Sequence, residues 1–155
     1  MAEDRKTGIV TVKNGKRSPL IKVLPFAKIA KQILPKKYEL SIVLTDDKLS
    51  KQLNRKYRGK NKPANVLSFP LSKKSGEIFL NISRIKNDAE KFGLSEKNGL
   101  VYILIHALLH LKGHAHGDRM DSAEKKFLKK FKIPLPSHLA PNTKNNDKKK
   151  HSRRN

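Results

Sequence analysis

The longest apolar run in the chain, Leu100 to Leu111, carries two histidines four residues apart, and this constrains the fold more than any other feature. The run is shorter than the roughly 20 apolar residues needed to span a bilayer, so it reads as a helix buried within a domain. Residues four apart lie on nearly the same helical face, so His106 and His110 can aim two imidazoles at one point. Gly113 is the residue type that ends a helix in a left-handed turn, letting the chain fold back and return His116 as a third ligand. Three neutral imidazoles with an open fourth position describe a catalytic zinc site rather than a closed structural one.

Two competing readings exist. A histidine on an apolar helix is more commonly a hydrogen-bonded core residue, yet four of the six histidines fall within residues 106–116. The rival trio His106, His110 and His114 requires the helix to continue through Gly113, which costs about 1 kcal/mol relative to alanine. His116 is therefore preferred, and His114 is read as a neighbour of the ligands or as facing RNA.

The chain has 155 residues and a formal net charge of +23. That length suits one domain, expected over residues 1–140 as a single catalytic metal-dependent hydrolase unit, followed by a basic disordered tail over 141–155. The tail holds six cations against Asp147, a surplus of +5, so +18 remains on residues 1–140. A field of that sign favours a polyanion, and nucleic acid is the leading partner. No long basic amphipathic helix stands out, which weakens a membrane reading. With no cysteine, disulfides and thiolate ligands are excluded, consistent with a cytoplasmic protein. The first six residues include acids and no apolar segment follows them, so no signal peptide is expected.

The remaining pattern alternates strands and helices. Strands are expected at residues 9–12, 38–44, 65–70 (ended by Pro70) and 76–82. Helices are expected from about 19 to 34, from a cap at Thr45 or Asp46 to Arg58-Gly59, over 83–92, from a cap at Ser95 through the histidine run, and from Asp121 to about Phe131. In the second of these, Leu49, Leu53 and Tyr57 form a stripe facing the core. In the last, Asp121 and Glu124 have capping-box spacing. The order predicts an α/β (α+β) fold: a small mixed sheet packed with helices, the metal site lying on a buried helix and the following turn.

A zinc-bound water is a hydroxide source near neutral pH, which makes hydrolysis the expected reaction class. Zinc proteases place a glutamate directly after the first histidine of such a helix, and here that residue is Ala107. A phosphodiester is the better substrate, because Arg55-Lys56-Tyr57-Arg58-Gly59-Lys60-Asn61-Lys62 concentrates cations in the centre of the chain. Arg58 can pair with a phosphate through two parallel hydrogen bonds, which lysine cannot reproduce. Lys60 and Lys62 suit positioning of a backbone.

The segment from Leu53 to Pro70, followed by Gly76-Glu77-Ile78 and then His106-x3-His110-x5-His116, resembles the YbeY family of bacterial rRNA maturation endoribonucleases over about residues 38 to 131. The resemblance implies a zincin-like YbeY fold and one zinc ion held by His106, His110 and His116. It also implies cleavage of single-stranded RNA, action at the 3′ end of small-subunit rRNA and in ribosome quality control, and the small ribosomal subunit as partner. Arg58 matches the arginine thought to face the scissile phosphate. The chain departs from the family pattern at Ala115, where Asp is usual, and also at Ala64, Ala107 and His114. Glu77, His114 and Asp118 are the candidates to replace the missing carboxylate. The alternative is a non-enzymatic RNA-binding assembly factor whose metal only holds the fold.

Overall fold

The computed structural model describes residues 10–14 as backbone and residues 25–140 in full; the expected tail, and the beginning of the expected first helix, lie outside the described residues. Four strands form one mixed sheet: β1 (Val10–Asn14), β2 (Glu39–Thr45), β3 (Val66–Ser72) and β4 (Ser75–Asn81). Their spatial order is β1-β2-β4-β3. β2 runs parallel to both β1 and β4, and β3 closes the edge antiparallel to β4. Five helices accompany the strands among the described residues: α1 (Phe26–Ile33), α2 (Asp47–Arg58), α3 (Ile82–Lys91), α4 (Glu96–Leu111) and α5 (Asp118–Lys130). The expected mixed sheet packed with helices is the observed architecture.

Local chemistry places the element boundaries. Asp46 and Ser95 cap α2 and α4, their side chains accepting from the Leu49 and Asn98 backbone N–H groups. Asn81 caps α3 by accepting from the Arg84 N–H, and its own amide donates to Asp47 at 2.7 Å. The strand ends shift by one or two residues from expectation, and two of the shifts have a local cause. β3 continues past Pro70 to Ser72 with a register irregularity between them. Proline is tolerated there because β3 is an edge strand whose missing N–H leaves no neighbour unpaired. β4 stops at Asn81, since Ile82 already belongs to α3.

α4 is the axis of the core. Gly99 to Ile105 and Ala107 to Leu109 are all buried, so the helix is apolar around nearly its whole circumference. It packs against α1, α3, α5, β3 and β4. The inward residues of β2 (Leu40, Ile42, Leu44) and of β4 (Ile78, Leu80) complete this core, alternating as a half-covered sheet requires.

α2 departs from its expected orientation. Leu49 is 38% exposed and Tyr57 58% exposed, while the buried residues are Ser50 and Asn54. The Leu49–Leu53–Tyr57 stripe is therefore not the core face. Polar side chains turn inward because they clamp the following loop. Ser50 Oγ donates to the Ala64 carbonyl at 2.8 Å and accepts from the Ala64 N–H at 2.9 Å, and Asn54 Nδ2 donates to the Lys62 carbonyl at 2.8 Å. Tyr57 rests on Phe69 with ring centroids 5.2 Å apart.

Where α3 crosses α4, Gly99 lies directly against Ala89, closer than a β-carbon would allow. Gly99→Ala gains about 1 kcal/mol of helix propensity but forces the two helices apart. We expect a net destabilisation of about 1–3 kcal/mol in urea unfolding; a neutral or stabilised variant would show that the crossing is not tight.

Candidate metal centre and adjoining cleft

The C-terminus of α4 makes the turn that the site requires. Gly113 adopts φ 104°, its N–H bonds to the His110 carbonyl, and the His114 N–H bonds to the Leu109 carbonyl, each at 3.0 Å. These two bonds form a Schellman ending, which stops the helix and reverses the chain. His114 is thereby excluded from the face shared by His106 and His110, and the trio 106/110/114 is not formed. His116 instead returns to the helix end, with its ring centroid 4.8 Å from that of His110 and 5.5 Å from that of His106.

One nitrogen from each of His106, His110 and His116 lies within 4.8 Å of the others, the only such group of potential ligands among the described residues. The Nε2 atoms of His106 and His110 are 3.1 Å apart. Two nitrogens held tetrahedrally at about 2.05 Å from zinc would be about 3.3 Å apart, so the pair is nearly at chelating distance. The donor set, three imidazoles and no thiolate, suits a borderline divalent metal such as zinc.

The carboxylate that supports this cluster is Glu124. It is 2% exposed, and its Oε1 accepts a hydrogen bond from His106 Nδ1 at 2.5 Å. A carboxylate can only accept, so the proton sits on Nδ1 and the Nε2 lone pair is turned toward His110 and His116. Glu124 is not half of a capping box. α5 begins at Asp118 rather than Asp121, with Gly117 as its cap and no side-chain capping bond, which places Glu124 nearly two turns inside the helix, among the buried residues Met120, Phe127 and Leu128. That position was the available signal: an acid on the apolar stripe of an otherwise amphipathic helix. Glu77 lies within β4 and Asp118 is exposed at the start of α5, and neither belongs to the histidine group. The backbone of His114 makes a hydrogen bond to His110.

Burial lowers the pKa of His110, and the adjacent His106 and His116, with a smaller contribution from Arg58, lower it further; the hydrogen bond to the His114 backbone opposes them. Each effect that lowers it keeps the imidazole neutral, the form that binds metal. Behind the cluster, burial and then the nearby carboxylates of Glu124 and Asp121 push the Tyr102 phenol well above its ordinary value. Its hydroxyl is 2.9 Å from His138 Nε2.

The three histidines open onto a cleft of about 340 Å³ whose opposite wall is the loop after α2. Arg58, Lys60 and Lys62 all line it, together with Asn54, Asn65 and Ser68. Arg58, Lys60, Lys62, His106, His110 and His116, all singled out from the sequence, thus line one concavity, whereas Glu77, His114 and Asp118 do not line it. The clamp described above accounts for this, since Ser50 and Asn54 pin the loop that carries both lysines. Asn54 Oδ1 has no hydrogen-bond partner among the described residues.

Comparison with known proteins gives a consistent picture. The solution structure of TM1509 from Thermotoga maritima superposes with a TM-score of 0.57 at 24% identity, covering 78% of this chain and 87% of that one, which establishes likeness of fold. The "Endoribonuclease YbeY" of Ehrlichia chaffeensis is 34% identical over 133 residues, 79% of this chain and 86% of that protein. Its counterpart in Persephonella marina is 41% identical over 86 residues, 50% of this chain; the match spans just over half (56%) of that protein's length. Residues 5–132 match the family described as Endoribonuclease YbeY, and the chain therefore belongs to that family.

Proposed function

We propose that this protein is a zinc-dependent endoribonuclease that cleaves single-stranded RNA in the cytoplasm, acting on the 3′ end of small-subunit rRNA and in ribosome quality control with the small ribosomal subunit as its partner. The observation that carries this reading is the convergence of three imidazoles and three cations on one open cleft. Family membership supports the same activity. An open cleft beside the histidines favours a catalytic ion over a purely structural one, because a structural site is closed by protein ligands.

His106, His110 and His116 would hold the ion, and zinc when bound would lower the pKa of a coordinated water to about 7 and supply a Lewis acid for a phosphoryl oxygen. Glu124 keeps His106 in the ligating tautomer and orientation. Arg58 pairs with the scissile phosphate and stabilises the charge that develops on its oxygens as the P–O bond breaks. Lys60 and Lys62 hold the flanking backbone by charge, and the loop clamped by Ser50 and Asn54 sets their distance from the histidines.

Four outcomes are expected. His110→Ala should abolish both stoichiometric zinc binding and RNA cleavage; survival of both would sink the proposal. Arg58→Ala should retain zinc and lower kcat/KM on single-stranded RNA by about 10²–10³-fold, with Arg58→Lys restoring only part of the loss. Glu124→Gln should weaken zinc about 10–100-fold in a competitive chelator titration, and unchanged affinity would remove Glu124 from the metal centre. The metal-free protein should be most stable above pH 6.5, the ordinary histidine value, and lose stability as pH falls from there through the lower folded pKa of His110, because the unfolded chain takes up the proton first. Thermal melts of apo protein across pH 5–8, with His110→Gln as the comparison, read this directly.

A further inference from the structure

A second recess adjoins the cleft on the other side of His106. It measures about 480 Å³ and is lined by Asn65, Phe92, Tyr102, Ile103, His106 and His138, with Lys91 at its edge. That volume lies within the range of about 300–1,000 Å³ typical of small-molecule sites. Asn65 and His106 line both concavities, so the recess lies next to the histidine cleft.

Its walls are aromatic. Phe92 meets Tyr102 at 5.5 Å and His138 at 5.3 Å between ring centroids, and Tyr102 meets His138 at 5.7 Å. Four separate parts of the chain supply the lining: the loop before β3, the end of α3, the middle of α4, and the segment after α5. That last segment is bound in place, since the Ser137 N–H and Oγ both donate to the Phe92 carbonyl, at 3.0 and 2.9 Å, and Leu139 is buried. The Tyr102 hydroxyl holds the exposed His138 ring. Asn65 is oriented by donating to Asp88 at 2.9 Å, and Lys91 lies 3.9 Å from the same acid.

We propose that this recess is a nucleobase subsite, which takes the base of the nucleotide next to the phosphate bound at the histidines. The proposal rests on the nuclease reading above for the identity of the substrate. Aromatic faces accept any base by stacking, whereas a single oriented amide supplies one polar contact to the base edge. Asp88 is not among the residues lining the recess, whereas Lys91 is, so the charge there favours an anionic ligand. A phosphate without a base would occupy only the basic cleft.

The test is equilibrium binding to the zinc-loaded, full-length protein, independent of turnover. Uridine 5′-monophosphate and ribose 5-phosphate are the probes, followed by NMR of the histidine and tyrosine ring signals. The nucleotide should shift the His138 and Tyr102 signals and bind about tenfold more weakly to His138→Ala, while ribose 5-phosphate binds wild type and variant alike. His138→Phe should retain most of the affinity because it keeps a stacking face. Equal binding of the two probes to wild type, or an equal loss in His138→Phe and His138→Ala, would overturn the subsite. Base-dependent binding by a protein that cleaves no RNA would leave the subsite standing and remove the nuclease reading instead.

Discussion

The hydrogen bond between Glu124 and His106 is the contact on which the arrangement of the site depends. An acid with 2% exposure is tolerable only where a donor meets it, because an unpaired buried charge costs several kcal/mol. Its partner lies on α4 and the acid on α5, so the two helices can pack in only one register without stranding the carboxylate. That register also sets the orientation of the first imidazole. Through His106 the constraint passes to His110, one turn along the same helix, and to His116, which the turn at Gly113 brings back.

A second set of buried polar groups works on the opposite wall. Ser50 and Asn54 sit where an amphipathic helix would place leucine, and they hold the loop at Lys62 and Ala64 by its backbone. The helix gives up apolar burial there, leaving Leu49 partly and Tyr57 largely exposed. In exchange the cations on that loop are held at a set distance from the histidines. More buried apolar residues come from α4 than from any other element, and its circumference is covered by the sheet and three helices. The site thus lies where a rigid apolar rod ends and two polar clamps begin.

Much of this was legible in the residues. The histidine spacing, the break at Gly113 and the cation-rich stretch from the last turn of α2 into the following loop are local features, and local geometry carries them into the structure unchanged. Glu124 escaped notice because its spacing to Asp121 mimics a capping box, and a local pattern cannot tell an acid that caps a helix from one that faces a distant histidine. Leu49, Leu53 and Tyr57 misled for a related reason. Their helical periodicity is real, but which face of α2 is covered depends on a loop that must be fastened, and periodicity alone does not record that demand. The recess around Phe92 and His138 had no sequence signature at all, since its walls come from four distant parts of the chain.

What the sequence by itself determined is therefore the local chemistry: a buried helix bearing two imidazoles on one face, a left-handed stop, a third imidazole within reach, and a strongly basic body. These follow from helical pitch, glycine's freedom at positive φ, and charge. Only the tertiary structure decided which carboxylate serves the histidines, which face of α2 turns inward, and that an aromatic recess lies beside the cleft. Those outcomes depend on contacts between residues far apart in the chain, where the requirement that buried polar groups find partners selects among arrangements that local preference leaves equal.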